Sequence, residues 1–252
     1  MIKRNEWPWS ALVLFIVLAC CLTGNAAAQD QSGLTIIKRD FATPEAAIRH
    51  FVDRVIANDL YGALEACAVN EADVYDFRAL TKRLNAMMLS ATLGPSKGPL
   101  MTQINRVNLA FNITRQIKFM VFSLLINDEG RLDVPIGNPT DANIDSFIAA
   151  IDTQRLSELQ LMKVSIPHSE MMNSPDYRKN ALQTALTYGA SEFTERVALY
   201  SFGGRLYIGG FSLLKYGQNW RISTLSSPLL GPSAFGILER ASRPSDFDDV
   251  TE

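Results

Sequence analysis

Apolar residues recur at helical spacing in the first segment of the chain that has a clear pattern. In "TPEAAIRHFVDRVIAND" they form one stripe, made of Ile48, Phe51, Val52, Val55 and Ile56. Thr43 is suited to cap this helix, Pro44 fits its first turn, and Glu45 favours the positive end of the helix dipole. The pattern therefore predicts an amphipathic helix that buries one face.

Two shorter helices are predicted after the first one. Asn58 or Asp59 caps the earlier of them, which carries Leu60, Leu64 and Cys67. We expect it to pair with the preceding helix in antiparallel fashion. A further helix is marked by Phe77, Leu80, Leu84, Met87 and Met88. It ends before "GPSKGP", residues 94–99, which is typical of a loop because of its glycines and prolines.

A long segment from Ile104 to Ile126 follows this loop. Its apolar residues at helical spacing are Val107, Phe111, Ile117, Met120, Val121 and Leu124. The part "KFMVFSLLI" is apolar on every side, so residues 115–136 are open to two interpretations. We favour a buried helix end over a strand that turns at "NDEG" into "RLDVPI". This apolar part is too short, with Lys118 inside it, to cross a bilayer.

The pattern changes from helical to extended after residue 140. A helix is predicted from Ile144, Phe147, Ile148 and Ile151. From Leu159 the period becomes two, and one strand face is formed by Met162, Val164 and Ile166. Ser174 and Pro175 then start a helix that Gly189 ends.

The last part of the pattern predicts three strands joined by hairpins. The strands are "ERVALYSF", "RLYIGGFSLLKY" and "NWRISTLS", separated by Gly203-Gly204 and by residues 217–219. Gly209-Gly210 inside the middle strand indicates a bulge or a sharp bend. Residues 231–252 are polar and acidic, and we expect them to form a disordered tail.

The N-terminus has the layout of a secretory signal peptide over residues 1–28. Lys3 and Arg4 precede an uncharged apolar stretch, and three alanines stand before Gln29, where cleavage is expected. Residues 29–40 then form a flexible lead. An alternative is lipidation of Cys20, as in bacterial lipoproteins, and a third is an uncleaved anchor. Export to the periplasm or the extracellular space is the preferred interpretation.

Composition and charge narrow the class of protein. The 252 residues are 47% apolar and carry a formal net charge of −2, which is ordinary for a folding domain. The near-neutral charge argues against nucleic-acid binding, which requires a basic face. Residues 41–230 are predicted to form a single α+β domain. In it, the N-terminal helix pair and a helical insertion of about residues 69–158 pack on a curved antiparallel C-terminal sheet.

Two blocks of the chain carry a resemblance to a known superfamily. The helix pair opened by "TPEAAIRHFVDRVIANDLYGALE" and the strands that end in "FSLLKYGQNWRIS" resemble the nuclear-transport-factor-two-like, or cystatin-like cone, superfamily. That resemblance implies a curved sheet wrapped around helices, with a pocket at its open end. Residues 69–158 depart from the superfamily pattern, and this insertion is long enough to fill the cone. The whole chain also resembles exported bacterial proteins of unassigned function.

No catalytic residue, metal ligand or cofactor site is predicted from the motifs. The candidate ligand-binding residues are four aromatic side chains on adjacent strands: Tyr200, Tyr207, Tyr216 and Trp220. The alternative is that these side chains are cross-strand packing pairs. His50 and Asp53 stand three residues apart on one helix, as a surface pair or a proton shuttle. His168 has no second metal ligand at suitable spacing. Cys67 is expected to be a small buried apolar group.

One acidic pattern matches the ligand spacing of a calcium loop. Asp141, Asn143, Asp145 and Asp152 stand at its first, third, fifth and twelfth positions. Ser146 replaces the glycine that the loop needs for its turn. We therefore favour a helix capped by Asp141.

The sequence predicts an exported, non-enzymatic binding or interaction domain whose partner is an unknown small molecule or protein. Two alternatives stay open. One is an isomerase-like or cyclase-like enzyme that works in the cone with an acid such as Asp53 and a nearby tyrosine. The other is a structural lipoprotein tethered to a membrane. No membrane span is predicted in the mature chain.

Overall fold

A five-stranded antiparallel sheet is the frame of the molecule. The computed structural model describes residues 36–126, 137–231 and 236–251, all of which belong to one compact unit, Thr35–Glu252. The predicted signal peptide, Cys20 and most of the flexible lead lie outside these ranges, as do residues 127–136. The strands are β1 (Gln160–Ser165), β2 (Glu192–Phe202), β3 (Arg205–Tyr216), β4 (Asn219–Thr224) and β5 (Glu239–Ala241). The predicted α+β class is confirmed.

The strand order is β1-β2-β3-β4, and β5 also pairs with β3. The turn between β2 and β3 contains Gly203 and Gly204, both with positive φ, as a tight two-residue hairpin requires. β4 pairs with the second half of β3 and β5 with its first half. The outer edge of β3 is therefore divided between two strands, and Gly209-Gly210 lies at the division.

Of the bulge or sharp bend predicted at this glycine pair, the bulge is wrong. Gly209 and Gly210 pair with Ala198 and Val197 in unbroken register with β2. Their lack of side chains serves close packing, because a Cβ on Gly209 would overlap Leu238 Cδ2. A Cβ on Gly210 would lie 2.5 Å from the backbone nitrogen of Ser227. The register shift of β3 occurs further on, opposite β4, between Ser212 and Leu213.

The predicted N-terminal helix pair is present. Helix α1 (Pro44–Ile56) is capped by Thr43, whose Oγ1 accepts from the nitrogen of Ala46 at 3.1 Å. Helix α2 (Leu60–Leu64) is capped by Asp59, and Cys67 is buried just after it. Phe51 of α1 meets Phe211 of β3 edge to face, with ring centroids 5.9 Å apart. One face of the sheet thus packs on α1.

Helix α3 (Phe77–Leu84) is shorter than the sequence predicts. Asn85 ends it in the left-handed conformation, with φ 48°, so Met87 and Met88 fall in an exposed loop. The next segment contains helix α4 (Pro99–Leu125), which confirms the helical interpretation for residues 104–125. The predicted continuation beyond Ile126 lies outside the described residues.

Helix α4 crosses the sheet face that also receives α1. The side chain of Gln116 accepts from the nitrogen of Leu225 at 2.6 Å, and Ser123 Oγ accepts from the nitrogen of Leu238 at 3.0 Å. Leu238 in turn covers Gly209 on this face. One side of α4 is buried here, through residues Asn105, Ala110, Ile113, Ile117, Met120 and Leu124. Helix α4, which is part of the predicted helical insertion, therefore lies on the same side of the sheet as α1.

Helix α5 (Asp141–Ala150) begins one residue earlier than its predicted cap implies. Thr140, and not Asp141, is the cap, because its Oγ1 accepts from the nitrogen of Asn143 while the side chain of Asn143 accepts from the nitrogen of Thr140. None of the residues of α5 is buried. The apolar residues that predicted this helix are largely uncovered, because Ile144, Phe147 and Ile148 are exposed.

Edge strand β1 also departs from its predicted pattern. A register shift between Leu161 and Lys163 interrupts the period of two, and Met162 and Ile166 are exposed. Helices α6 (Ser169–Asn173) and α7 (Pro175–Thr187) follow, and Ser174 caps α7 as predicted. Short 3-10 turns cover Asn70–Val74, Thr153–Glu158 and Pro228–Leu230.

The predicted disordered tail is folded from residue 236 to residue 251. Strand β5 pairs with β3, and helix α8 (Ser245–Asp249) places Phe247 against Val197 and Leu199 of β2. The polar composition of the tail does not predict this packing on β2, because Phe247 makes most of the contact. Within the described ranges, no helix has the length and apolarity needed to cross a membrane.

Candidate functional site

The four aromatic residues predicted to bind a ligand are placed as two pairs at opposite ends of the sheet. Tyr200 and Tyr207 lie directly opposite each other near the β2–β3 turn. Tyr216 and Trp220 lie beside the β3–β4 turn. Tyr216 is about 30 Å from Tyr207 along the strand, at roughly 3.3 Å per residue. The structure therefore does not bring the four side chains into one site.

Three of these aromatic side chains are buried, and the fourth is half-buried. Tyr200 is completely buried, which raises the pKa of its phenol, and its hydroxyl has no partner among the described residues. Tyr207 and Trp220 are almost fully covered. The hydroxyl of Tyr216 donates to the backbone oxygen of Tyr188 at 3.1 Å. These are the contacts of core packing, and they leave little aromatic surface for a ligand.

His50 contacts Glu65 of the helix pair and not the predicted Asp53. Its Nε2 lies 3.2 Å from Glu65 Oε2 and 3.1 Å from the backbone oxygen of Gly62. Asp53 is exposed to solvent, so His50 forms with it neither the surface pair nor the proton shuttle. The reason is geometric, because His50 turns towards α2 and packs its ring against Phe41, 5.1 Å away.

The acidic residues with calcium-loop spacing do not form a loop. Asp141, Asn143 and Asp145 are on helix α5, and Asp152 caps the following 3-10 turn through the nitrogen of Gln154. The described part of the chain contains no group of three or more His, Cys, Asp or Glu side chains that could hold a metal ion.

A buried ion pair joins the 3-10 turn Asn70–Val74 to β4, and sequence reasoning missed it. The side chain of Arg221 is 1% exposed, and its Nε lies 3.4 Å from Oε1 of Glu71, which is also buried. Lys38 and Asp40 approach the pair from the surface, at 3.8 Å from Glu71 and 3.7 Å from Arg221. Burial raises the pKa of Glu71, although the charge of Arg221 opposes that effect.

The alternation of apolar and polar residues in "NWRIS" does not predict that Arg221 is buried. Trp220 and Ile222 alternate with it, so the pattern places the arginine on the solvent side of a strand. That side is covered by other elements, and Arg221 Nη1 donates to the backbone oxygen of Trp220 at 3.0 Å. The pair therefore fixes the 3-10 turn Asn70–Val74 to the sheet.

A second buried carboxylate, Glu195 of β2, holds three parts of the fold together. It accepts from the hydroxyl of Tyr177 at 3.0 Å, from the hydroxyl of Ser227 and from the nitrogen of Leu229 at 3.2 Å. Tyr177 belongs to α7, whereas Ser227 and Leu229 follow β4. Burial and the charge of Glu195 raise the pKa of Tyr177.

A cleft of about 150 Å³ opens at the divided edge of β3. Its polar lining comes from Ser226, Ser227, Glu239, Arg240 and Asp246. Sites for drug-sized ligands measure about 300–1,000 Å³, so this cleft is too small for such a molecule. It has the capacity of a few water molecules, at roughly 30 Å³ each.

An apolar stripe is exposed on the first half of α4. Leu100, Ile104, Val107 and Phe111 are 41 to 68% exposed and are spaced four, three and four residues apart. We call these four residues the α4 stripe. Val107 and Phe111 are among the apolar residues whose spacing predicted this helix. Helix α4 has a second stripe on its other side, through Ile113, Ile117 and Met120, and only that one is buried.

Further apolar side chains are exposed next to this stripe and elsewhere on the helices. The loop that bears exposed Met87, Met88 and Leu89 is bound to α4, because Asn108 Nδ2 donates to the backbone oxygen of Thr92 at 2.8 Å. Helix α7 exposes Leu182 and Leu186. Exposed apolar patches of a few hundred Å² mark interaction sites.

Comparison with known proteins gives a likeness of fold. No model of a known protein family matches the chain, and no curated protein matches it in sequence. The solved structure of a cystatin-like protein from Ruminococcus gnavus ATCC 29149 is similar, with a TM-score of 0.54 and 19% sequence identity. The match covers 85% of this chain and 44% of that one, so this chain spans less than half the length of that protein.

At this identity the likeness concerns the fold alone. It agrees with the cystatin-like architecture that the helix pair and the strands predict. Membership of the wider superfamily stays a prediction.

Proposed function

We propose that the protein is an exported, non-enzymatic binding domain that recognises a protein partner through the α4 stripe. The observation that carries the proposal is the row of half-exposed apolar side chains on a helix whose other side is anchored in the core. Such a row is what a helical partner needs for packing at positions three and four residues apart. Because the other side of α4 is buried in the core, the exposed row is held in one place for binding.

A protein partner agrees better with the surface than a small ligand does. The cleft at β3 is too small for a drug-sized molecule, and the α4 stripe is an extended row on a helix surface. The catalytic alternative needs an ionisable group free to exchange protons in a wet pocket. The buried carboxylate beside the cleft, Glu195, is engaged by three donors and has a structural role.

Site-specific photo-crosslinking in living cells tests the proposed interface. A photoreactive amino acid is placed at Val107 in the stripe, and at Leu182 of α7 in a matched chain, because both are 55% exposed. We expect a protein adduct of discrete mass from position 107 that untagged protein competes away, and none from position 182. The proposal fails if no stripe position yields a protein adduct, or if both positions give the same products.

Mass spectrometry of the mature N-terminus tests the export part of the proposal. Lys3 and Arg4, the apolar stretch and the alanines before Gln29 support cleavage by a signal peptidase. We expect an unmodified N-terminus at Gln29. A diacylated Cys20 would instead establish the tethered lipoprotein, and an intact Met1 the uncleaved anchor.

A further inference from the structure

We propose that the partner of the α4 stripe is a second copy of this chain, bound antiparallel about a two-fold axis between Asn105 and Arg106. This inference rests on the proposed function and names the partner of the same surface. It predicts that the protein is a dimer in which two α4 helices pack side by side.

The spacing of the stripe is what a two-fold antiparallel contact requires. The intervals of four, three and four residues read the same in both directions along the helix. When two copies run antiparallel about the stated centre, Leu100 lies opposite Phe111 of the second copy, and Ile104 lies opposite Val107 of the second copy. An isologous interface demands this self-complementarity, because residue i meets j while j meets i.

The charge on the stripe also agrees with a second copy. Between residues 99 and 114 the sequence contains one charged residue, Arg106, and no carboxylate. A helix that lies on a lipid surface carries many lysines and arginines beside its apolar face, and this segment does not. A near-neutral apolar row is instead complementary to its own copy, which brings no like charges into opposition along the row.

The area is near the lower limit for a stable dimer. The four side chains together leave roughly 400 Å² of apolar surface in solvent, which is within the range of functional patches. Two copies supply twice that area, and the neighbouring loop adds exposed Met87, Met88 and Leu89. With the flanking helix surface the total approaches about 1,200 Å², where specific interfaces begin.

The first test is the oligomeric state of the protein purified from an exporting bacterial host. Light scattering and sedimentation are expected to give twice the chain mass at micromolar concentration. Val107→Asp is expected to weaken dimerisation at least about tenfold, because it places a carboxylate in the apolar contact. Leu182→Asp, at an equally exposed position on α7, is expected to stay dimeric, and circular dichroism checks that both variants fold.

The second test is a charge exchange that depends on the antiparallel register. Ile104→Lys and Val107→Asp are each expected to weaken the dimer when purified alone. In a one-to-one mixture, the lysine introduced at position 104 of one chain meets the aspartate introduced at position 107 of the other. The second contact of that heterodimer stays Val107 with Ile104, so we expect the mixture to associate. A parallel arrangement would pair like positions and would give no such recovery.

The outcomes separate this inference from the proposed function. A wild-type protein that stays monomeric overturns the inference, and so does a dimer that Val107→Asp leaves intact. If the photo-adduct at position 107 has twice the chain mass, both proposals are supported. If it has another discrete mass, the stripe binds a different protein and only the second copy is rejected. If no adduct forms at the stripe, the proposed function fails as well.

Discussion

At the scale of single residues, the hydroxyls of Tyr200 and Tyr177 behave differently. Tyr200 has no partner for its hydroxyl among the described residues, whereas Tyr177 donates to Glu195. We expect Tyr200→Phe to leave the free energy of unfolding within about 1 kcal/mol of the wild type, or to increase it, because a buried unpaired hydroxyl stabilises nothing. Tyr177→Phe removes a donor from a buried carboxylate and is expected to cost about 1–3 kcal/mol.

Urea unfolding of both variants measures this difference. A large loss for Tyr200→Phe would mean that its hydroxyl has an important partner. It would also renew the case for a polar contact at this predicted binding residue.

The buried Glu71 predicts a dependence of stability on pH. Its pKa in the folded state is raised above the ordinary 4.5, chiefly by burial and despite the nearby Arg221. Between these two pKa values the folded protein binds more protons than the unfolded chain, so its stability falls as the pH rises through that window. Glu71→Gln removes this titration.

The measurement is the difference in free energy of unfolding between wild type and Glu71→Gln over a pH series. We expect that difference to move against the wild type as the pH rises above 4.5. Parallel curves for the two proteins would contradict the assigned burial of this carboxylate.

The roles of single residues were predictable where they depend only on residues nearby in the sequence. Thr43 and Ser174 were identified as helix caps because a cap depends on a side chain and the next turn. Arg221 and Glu71 were not identified, because their contact joins segments that are distant in the sequence. Even the cap of α5 moved by one residue, to Thr140.

At the scale of elements, the glycine pair of β3 makes a sharp prediction. Gly210→Ala places a methyl group against the backbone of Ser227, which has no freedom to rotate away, and is expected to cost about 1–3 kcal/mol. Gly209→Ala meets the tip of the flexible Leu238 side chain and is expected to cost less. Thermal unfolding of the two variants ranks them, and the reverse order would contradict the packing at the divided edge.

The existence of the elements was predictable, but the side that they bury was not. Helix α4 carries apolar residues on two sides, so its periodicity predicts a helix without indicating which stripe is covered. The same holds for α5, whose apolar residues predicted a helix but gave no sign that Ile148 is 63% exposed. Burial depends on where neighbouring elements lie, which a local pattern does not contain.

At the scale of the whole molecule, the folded tail is expected to contribute to global stability. Phe247 is 1% exposed and packs on Val197 and Leu199, so Phe247→Ala is expected to cost about 3–5 kcal/mol. Phe147→Ala on the exposed helix α5 is the matched control and is expected to cost less than about 1.5 kcal/mol. Equal effects in urea unfolding would show that the tail packs loosely.

The α+β class and the order of most helices and strands up to β4 were predictable from the change of period and from the turn glycines. The length of the domain was underestimated, because residues 236–251 have the composition of a disordered tail. Their fold depends on β5 completing the outer edge of β3 and on one phenylalanine. The composition of a segment does not predict a contact that only a few of its residues make.

The rate at which the buried thiol of Cys67 is alkylated reports on opening motions of this fold. Cys67 is the only cysteine after Cys21, and it lies next to Ile222 of β4. Burial raises the pKa of its thiol, so the closed molecule does not react with alkylating reagents. Its alkylation rate therefore counts how often the helix pair parts from the sheet. That frequency is measurable on the wild-type chain, without any substitution in the folded unit.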